Sequence, residues 1–376
     1  MRVLIAVISD LATDMRVQKQ ASLLAGMGCK VTVLGRRRYD SLPCDIPGIR
    51  VFRIRVPFRR GPGMYLTFNL MLLLHLLARR FDLCVSNDLD TLVPCYVLSR
   101  LFRKKLVYDA HEYFTGQHGL AEKRMRHRLW KAAERRTVPQ VKHMITVSNS
   151  IAELYRSEYG SDPVVIRNVA PSVSHLIPHD RSMHSVGDDE LLVMYQGSGI
   201  NEGRGTEEMI DAMSLVERVR LIIAGSGDII RKIRQHALES PAAGRIIFLP
   251  VMPWEEMMRY TLGCDAGLTL DTDTCTNQRY SLPNKLFDYI AAGIPAIASP
   301  LPEVSAVIGQ YGCGVVLEEV SPEAIAEALG RLRDDRLLLC ALKDKAVAAR
   351  DDLNWEKEKL KEQEFFRSVI ETKESK

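Results

Sequence analysis

Short β-branched and aliphatic runs alternate with helix-period segments along almost the whole chain, and this alternation decides the class of fold before any single residue is weighed. Strands that alternate with amphipathic helices build parallel sheets covered by helices on both faces. In the first half the strands are expected at Val3–Ile8, Lys30–Leu34, Val51–Val56, Leu83–Ser86, Leu106–Asp109 and His143–Val147, with a first helix from Met15 to Gly28. In the second half they are expected at Leu191–Gln196, Arg220–Ala224, Ile246–Leu249, Ala266–Leu270, Pro295–Ala298 and Gly314–Leu317, with helices such as Thr206–Val216, Asp228–Leu238 and Trp254–Leu262 between them. A chain of 376 residues suits two such domains. The expected division is 1–175 and 190–354, joined by the polar, aperiodic segment Pro171–Asp189. A charged helix at 355–376 lies outside the second repeat and is expected to pack back on the first domain. The fold class is therefore α/β: two Rossmann-like, doubly wound parallel-sheet domains facing across a cleft.

Charge separates the halves. Residues 1–170 hold 28 Lys and Arg against 14 Asp and Glu; the remainder holds 23 against 33. A basic half suits an anionic membrane or acceptor, and the absence of a recognisable nucleic-acid module or an aromatic stripe argues against nucleic acid. Eight scattered cysteines, with no C-x-x-C pair and no Cys/His cluster at zinc spacing, read as reduced thiols, and no structural metal is expected. The chain enters a strand at Arg2, so no cleavable leader is expected and a cytoplasmic location is. No Gly-x-Gly-x-x-Gly follows the first strand with an acid after the second, which argues against a nicotinamide dehydrogenase.

The richest segment runs from Asn277 to Ile297. It reads as a loop, a helix capped by Ser281 or Asn284 with Pro283 in its first turn, a stop at Gly293 and Pro295, and a buried strand. A loop feeding a helix N-terminus is an anion site, because unpaired N–H groups and the helix dipole point the same way. Lys285 adds a positive charge and Asp288 an acceptor for hydroxyls. Phosphate plus sugar hydroxyls describes a nucleotide-sugar.

Other loops carry candidate chemistry. Gly197, Gly199, Gly203 and Gly205 let backbone approach a ligand, and Arg204 stands before a helix, placed for a pyrophosphate or simply solvated. Gly225 and Gly227 follow the next strand, as a binding loop or a turn. Pro250 to Trp254 either lie along a base or start a helix by packing. In the first half, His111 and Glu112 end a strand, suited to orient a sugar or only to pack, and Asp14 and Arg16 sit at the first helix start, for hydroxyl binding or as an N-cap.

In this order the segments Asp14-x-Arg16-x-x-Lys19, Asp109-Ala-His-Glu, Thr146-Val-Ser-Asn-Ser150, Ile166-Arg-Asn-Val169, Gly203-Arg-Gly205, Ala224-Gly-Ser-Gly227 and Asn284-Lys-Leu-Phe-Asp288 resemble the GT-B retaining glycosyltransferases of family 4 (glycosyl transferases group 1). The resemblance covers nearly the whole chain and is strongest over residues 191–317. It implies transfer of a sugar from a UDP- or GDP-sugar to a glycan or lipid-linked acceptor in surface-polysaccharide assembly, without a metal or other cofactor. His111 would lie near the donor sugar, Arg204 would occupy the position of a diphosphate-binding Lys, Asp288 would hold ribose, and the backbone of Leu282–Asn284 would meet the distal phosphate. Asp14, Arg16 and Glu112 fall on the acceptor side. The chain departs from the family at Tyr280, where a sugar-binding Glu is usual, and at Ser198, where an Arg often stands. Lys285 is then the compensating cation, and Asp271, Asp273 or Asn277 would take over the sugar. A sugar-nucleotide epimerase of the same fold and a degenerate nucleotide-sugar-binding partner protein are the alternatives.

Met64–Ala78 is apolar but, at about 15 residues, shorter than the roughly 20 needed to span a bilayer. With Arg59, Arg60, Arg79, Arg80 and the basic segment Glu122–Arg136, it fits a first domain resting peripherally on an anionic inner membrane face. The other reading is a core helix beside a solvated basic helix.

Overall fold

The computed structural model describes residues 1–372 apart from 40, 42, 121, 122, 185, 188 and 198. Ser198, Glu122, two positions of the expected linker and the last four of the expected C-terminal helix lie outside the described residues. The chain forms two compact units, Met1–Arg167 with the segment from Lys359, and Asn168–Glu358.

Seven parallel strands form the first sheet: β1 (Arg2–Ala6), β2 (Lys30–Arg37), β3 (Arg50–Arg55), β4 (Leu83–Asn87), β5 (Lys105–Ala110), β6 (His143–Thr146) and β7 (Val164–Val165). Their order is β3-β2-β1-β4-β5-β6-β7, so the winding reverses between β1 and β4. Helices α1 (Met15–Gly26), α2 (Pro62–Leu77), α3 (Leu89–Leu101), α4 (Arg124–Thr137) and α5 (Asn149–Tyr159) make the crossovers. One core packs Val17, Ala21 and Leu24 of α1 on Ile5, Val33 and Val85, and the C-terminal helix Trp355–Glu371 adds Phe366 and Val369 to it. The second core sets Phe68, Leu72 and Leu76 of α2 against Leu4, Leu34 and Cys84.

The second unit repeats the plan with six parallel strands: β8 (Leu191–Gly197), β9 (Val219–Gly225), β10 (Ile246–Leu249), β11 (Ala266–Thr269), β12 (Ala296–Ala298) and β13 (Gly314–Val316). The order β10-β9-β8-β11-β12-β13 reverses between β8 and β11. Its helices are α6 (Thr206–Leu215), α7 (Ile230–Glu239), α8 (Trp254–Leu262), α9 (Thr276–Arg279), α10 (Asn284–Ala292), α11 (Pro302–Tyr311), α12 (Pro322–Asp334) and α13 (Arg336–Ala349). In each sheet the loops at the reversal leave the carboxyl ends of adjacent strands, where open α/β sheets bind ligands.

The segment expected as a linker does not behave as one. Val173 is buried with Met258 and Ala291. The His179 amide donates to the Arg259 carbonyl at 2.9 Å, His179 Nε2 meets Glu256 at 2.7 Å and Arg181 pairs with Asp265 at 2.8 Å. Polar and backbone contacts hold it on the second unit, which is why it shows no apolar period.

Candidate active site

The start of α10 differs from the expected cap. Pro283 occupies the N-cap position in extended conformation and no side chain caps the helix. The Ser281 hydroxyl instead donates to the Gln278 carbonyl at 2.9 Å, closing the turn of α9, and Asn284 is already the first helical residue. The leading N–H groups of α10 therefore have no side-chain cap, and the helix dipole places partial positive charge there. Gly293 ends the helix in the left-handed region (φ 71°), as expected. Leu282 is buried in the hydrophobic core, while Pro283 is half-buried and Asn284 exposed.

Two cations converge beside this helix start. Arg204 Nη1 reaches Asp271 Oδ1 at 2.5 Å, and Lys285 Nζ lies 3.6 Å from Asp271 Oδ2 and 4.5 Å from the centroid of the Tyr195 ring. Asp271 is fully buried just past β11. Burial would raise its pKa, but Lys285 and then Arg204 outweigh burial and hold the carboxyl below its ordinary range. Burial pushes the Lys285 ammonium down, against the pull of Asp271. Asp271, expected among the residues that take over the sugar, is thus engaged by both cations. Two cations sharing one carboxylate leave one net positive charge at a helix N-terminus, an arrangement suited to a diphosphate.

The glycines serve packing more than ligand approach. A Cβ at Gly225 (φ 140°) would fall 1.8 Å from the Gly197 carbonyl oxygen, and one at Gly227 would fall 2.0 Å from that of Ile200. These contacts join the loops after β8 and β9, where the Ile200 amide donates to Ser226 O at 2.9 Å and the Ser226 amide to Gly197 O at 3.1 Å. Gly203 is enclosed by Thr272, Thr274 and Gln278 side chains, whereas Gly199 has room for a Cβ. Pro250 is exposed at the end of β10.

Asp288 is fixed by two donors, Gln196 Nε2 at 2.8 Å and Trp254 Nε1 at 3.0 Å. Gln196 is held in turn by the Thr261 hydroxyl, which donates to Oε1 at 2.7 Å. The bonds from Gln196 and Trp254 together orient the Asp288 carboxylate. Trp254 starts α8 and packs against the cluster around Met258 and Ala291, as the helix-start reading has it, and its indole N–H also orients Asp288. Gln196 was missed; its signal was a polar residue at the end of a buried strand just before a glycine-rich loop.

In the first unit His111 sits among acids at the ends of β4 and β5. Its Nε2 lies 3.0 Å from Asn87 Oδ1 and 3.6 Å from Asp109, its Nδ1 is 3.5 Å from Asp88, and its amide donates to Asp88 Oδ1 at 2.9 Å. Burial disfavours the charged ring, but Asp88 and Asp109 outweigh it and raise the pKa to about 9. Asp88 holds φ 59° and ψ 166°, a region almost confined to glycine, and such strain persists where surrounding contacts impose it. The structure corrects the acceptor-side reading of Arg16. It is buried and forks onto Asp109 at 2.7 and 3.1 Å, with a third bond to the Ile166 carbonyl at 3.1 Å. Asp14 accepts from the Val17 amide at 3.1 Å and from the Ser9 hydroxyl, which makes it the N-cap of α1. Glu112 accepts from the Gln117 amide group. Among the described residues no group of three or more His, Cys, Asp or Glu is placed to hold a metal ion.

Two doubly wound parallel sheets, the second carrying a cationic helix start at its winding reversal, define the GT-B class. Residues 15–171 match the family described as Glycosyltransferase Family 4, and residues 178–348 match Glycosyl transferases group 1. The chain belongs to these family 4, group 1 glycosyltransferases. Sucrose-phosphate synthase from Thermosynechococcus elongatus superposes with a TM-score of 0.83 at 16% identity, covering 98% of this chain and 99% of that one. Anabaena HepE, solved in complex with UDP and glucose, gives 0.76 at 15% identity over 98% and 100%. WaaG, a glycosyltransferase involved in lipopolysaccharide biosynthesis, gives 0.73 at 18% over 99% and 100%. Such identities speak for the fold alone. No curated protein matches the chain by sequence.

Proposed function

We propose that this glycosyltransferase moves a sugar from a UDP- or GDP-sugar to a hydroxyl of a glycan or lipid-linked acceptor, with retention, in cell-surface polysaccharide assembly. The observation that carries the reading is the pair Arg204 and Lys285 meeting on Asp271 at the uncapped start of α10. Negative charge develops on the diphosphate as the anomeric C–O bond breaks, and preorganised cations and N–H donors aimed there lower the barrier without a metal ion. Asp288, oriented by Trp254 and Gln196, is assigned to the ribose hydroxyls. The acceptor oxygen attacks the anomeric carbon on the face the diphosphate leaves, and its proton passes to the departing phosphate oxygen. His111, held protonated by Asp88 and Asp109, is assigned to the transfer step as a charged hydrogen-bond donor. HepE, solved with UDP and glucose, supports the choice of donor class.

The test is a panel of UDP- and GDP-sugars with the full chain, with and without glycan acceptors, read as released nucleoside diphosphate and product stereochemistry by NMR. One donor turned over with retention supports the proposal. A changed sugar with no acceptor present would point to epimerisation, and donor binding without turnover to a partner protein.

A further inference from the structure

The three helices α2, α3 and α4 form a layer in which α3 packs against both neighbours. The Tyr65 ring of α2 also meets Trp130 of α4 edge-on at 5.4 Å. The inward sides of α2 and α3 are accounted for, because Phe68, Leu72 and Leu76 of α2 and Cys95 and Leu98 of α3 are buried against the sheet. The outward sides are not. On α2, Leu66, Leu70, Leu74 and Leu77 are exposed, at spacings that put all four on one stripe. On α3, Val93, Val97 and Leu101 repeat the pattern, and on α4 Met125 and Leu129 do the same. Leu66, Leu101, Met125 and Leu129 are each more than 60% exposed, from 65% to 72%. Exposed apolar stripes on three neighbouring helices mark an interaction site.

Charge tells what covers it. The only acidic residues within the three helices are Asp90 and Glu134, and both are buried. Exposed Arg80, Arg100 and Arg103 stand at or just beyond the helix ends, and exposed Arg124, Arg126 and Arg128 ring the apolar residues of α4. A second copy docking through the same patch would set a positive rim against a positive rim. An anionic bilayer supplies what the surface lacks, with negative headgroups for the rim and acyl chains for the leucines. No helix among the described residues is long and apolar enough to cross a membrane. Contact along helix faces is the mode that fits.

We propose that the outer face of α2, α3 and α4 docks on an anionic lipid bilayer. The inference deepens the lipid-linked or surface-glycan acceptor reading and rests on it for its purpose, but the binding itself requires neither donor nor acceptor. The test is sedimentation of the full chain with phosphatidylcholine vesicles, alone and mixed with phosphatidylglycerol, at low and high salt. Binding is expected only to the mixed vesicles and falls with salt. Arg124→Gln with Arg128→Gln is expected to weaken it by roughly fivefold per arginine. Leu70→Ser with Leu74→Ser weakens it at least about tenfold with the charge unchanged, and folding is preserved because both side chains face solvent. Absence of binding to acidic vesicles at low salt, or binding indifferent to both variants, overturns the proposal. Self-association that the leucine variant abolishes, without vesicle binding, assigns the face to a second copy and also overturns it. Cleavage of the donor in solution by the leucine variant is expected to match wild type, so failure at the membrane and failure of the transfer reading remain distinct.

Discussion

Asp271→Asn isolates the electrostatics of the donor pole. The substitution keeps the shape of the side chain and removes the carboxylate charge shared by Arg204 and Lys285. Lys285 leaves only 11% of its side chain exposed and Arg204 29%, so two like charges remain with little solvent between them. Removing one partner of a buried pair costs about 3–5 kcal/mol, and the freedom of the part-exposed Arg204 to turn outward reduces this to about 2–4 kcal/mol. For a unit the size of Asn168–Glu358 that corresponds to a fall of roughly 5–15 °C in Tm. A nucleoside diphosphate restores the missing negative charge, so it binds the variant more tightly and raises its Tm by more than it raises that of wild type. Calorimetric melting with and without UDP and GDP reads both effects. A variant that melts with wild type, or gains less from the nucleotide, would refute the claim that Asp271 neutralises a diphosphate site.

Two further outcomes test other parts of the account. Glu362 is buried on the C-terminal helix, where it accepts from Gln20 at 3.1 Å, and burial raises its pKa from 4.5 to about 7. A raised carboxyl favours the folded state while protonated, so its contribution is complete below pH 4.5 and is lost as the pH rises through 7. The Glu362→Gln chain should therefore gain on wild type across that window, by up to about 3 kcal/mol, and parallel denaturation curves from pH 5 to 8 would exclude it. Trp254→Phe removes one donor to Asp288 while keeping an aromatic ring, and it should weaken nucleotide binding about tenfold with little change in Tm. An unchanged Kd would separate Asp288 from the nucleotide.

The twelve strands expected from β-branched periodicity all form, within a few residues of their expected ends; central strands such as β1, β4 and β8 are buried on both faces, which leaves an apolar run in the sequence. β7, with only two residues, is too short to leave a period. Lys285, Arg204 and Asp288 were visible as charges beside a loop and a helix start. The pairings were not, because Arg204 meets Asp271 across 67 positions, and Asp288 meets Gln196 across 92 and Trp254 across 34. Arg16 illustrates the converse error. A charged residue next to a loop reads as a ligand contact, yet it spans 93 positions to bind Asp109 inside the core. Gly225 and Gly227 were read as a binding loop or a turn, and the close backbone of Gly197 and Ile200 against their Cβ positions gives them a packing reason that sequence could not show.

The central claim is that Arg204 and Lys285 together bind the diphosphate of a nucleotide-sugar. Isothermal titration of UDP and GDP, with uridine and guanosine as controls, into wild type, Arg204→Ala and Lys285→Ala tests it most directly. The account predicts that one diphosphate binds far more tightly than its nucleoside, and that each substitution weakens it by about tenfold or more. Nucleoside and diphosphate binding equally well, or binding untouched by either substitution, would contradict it.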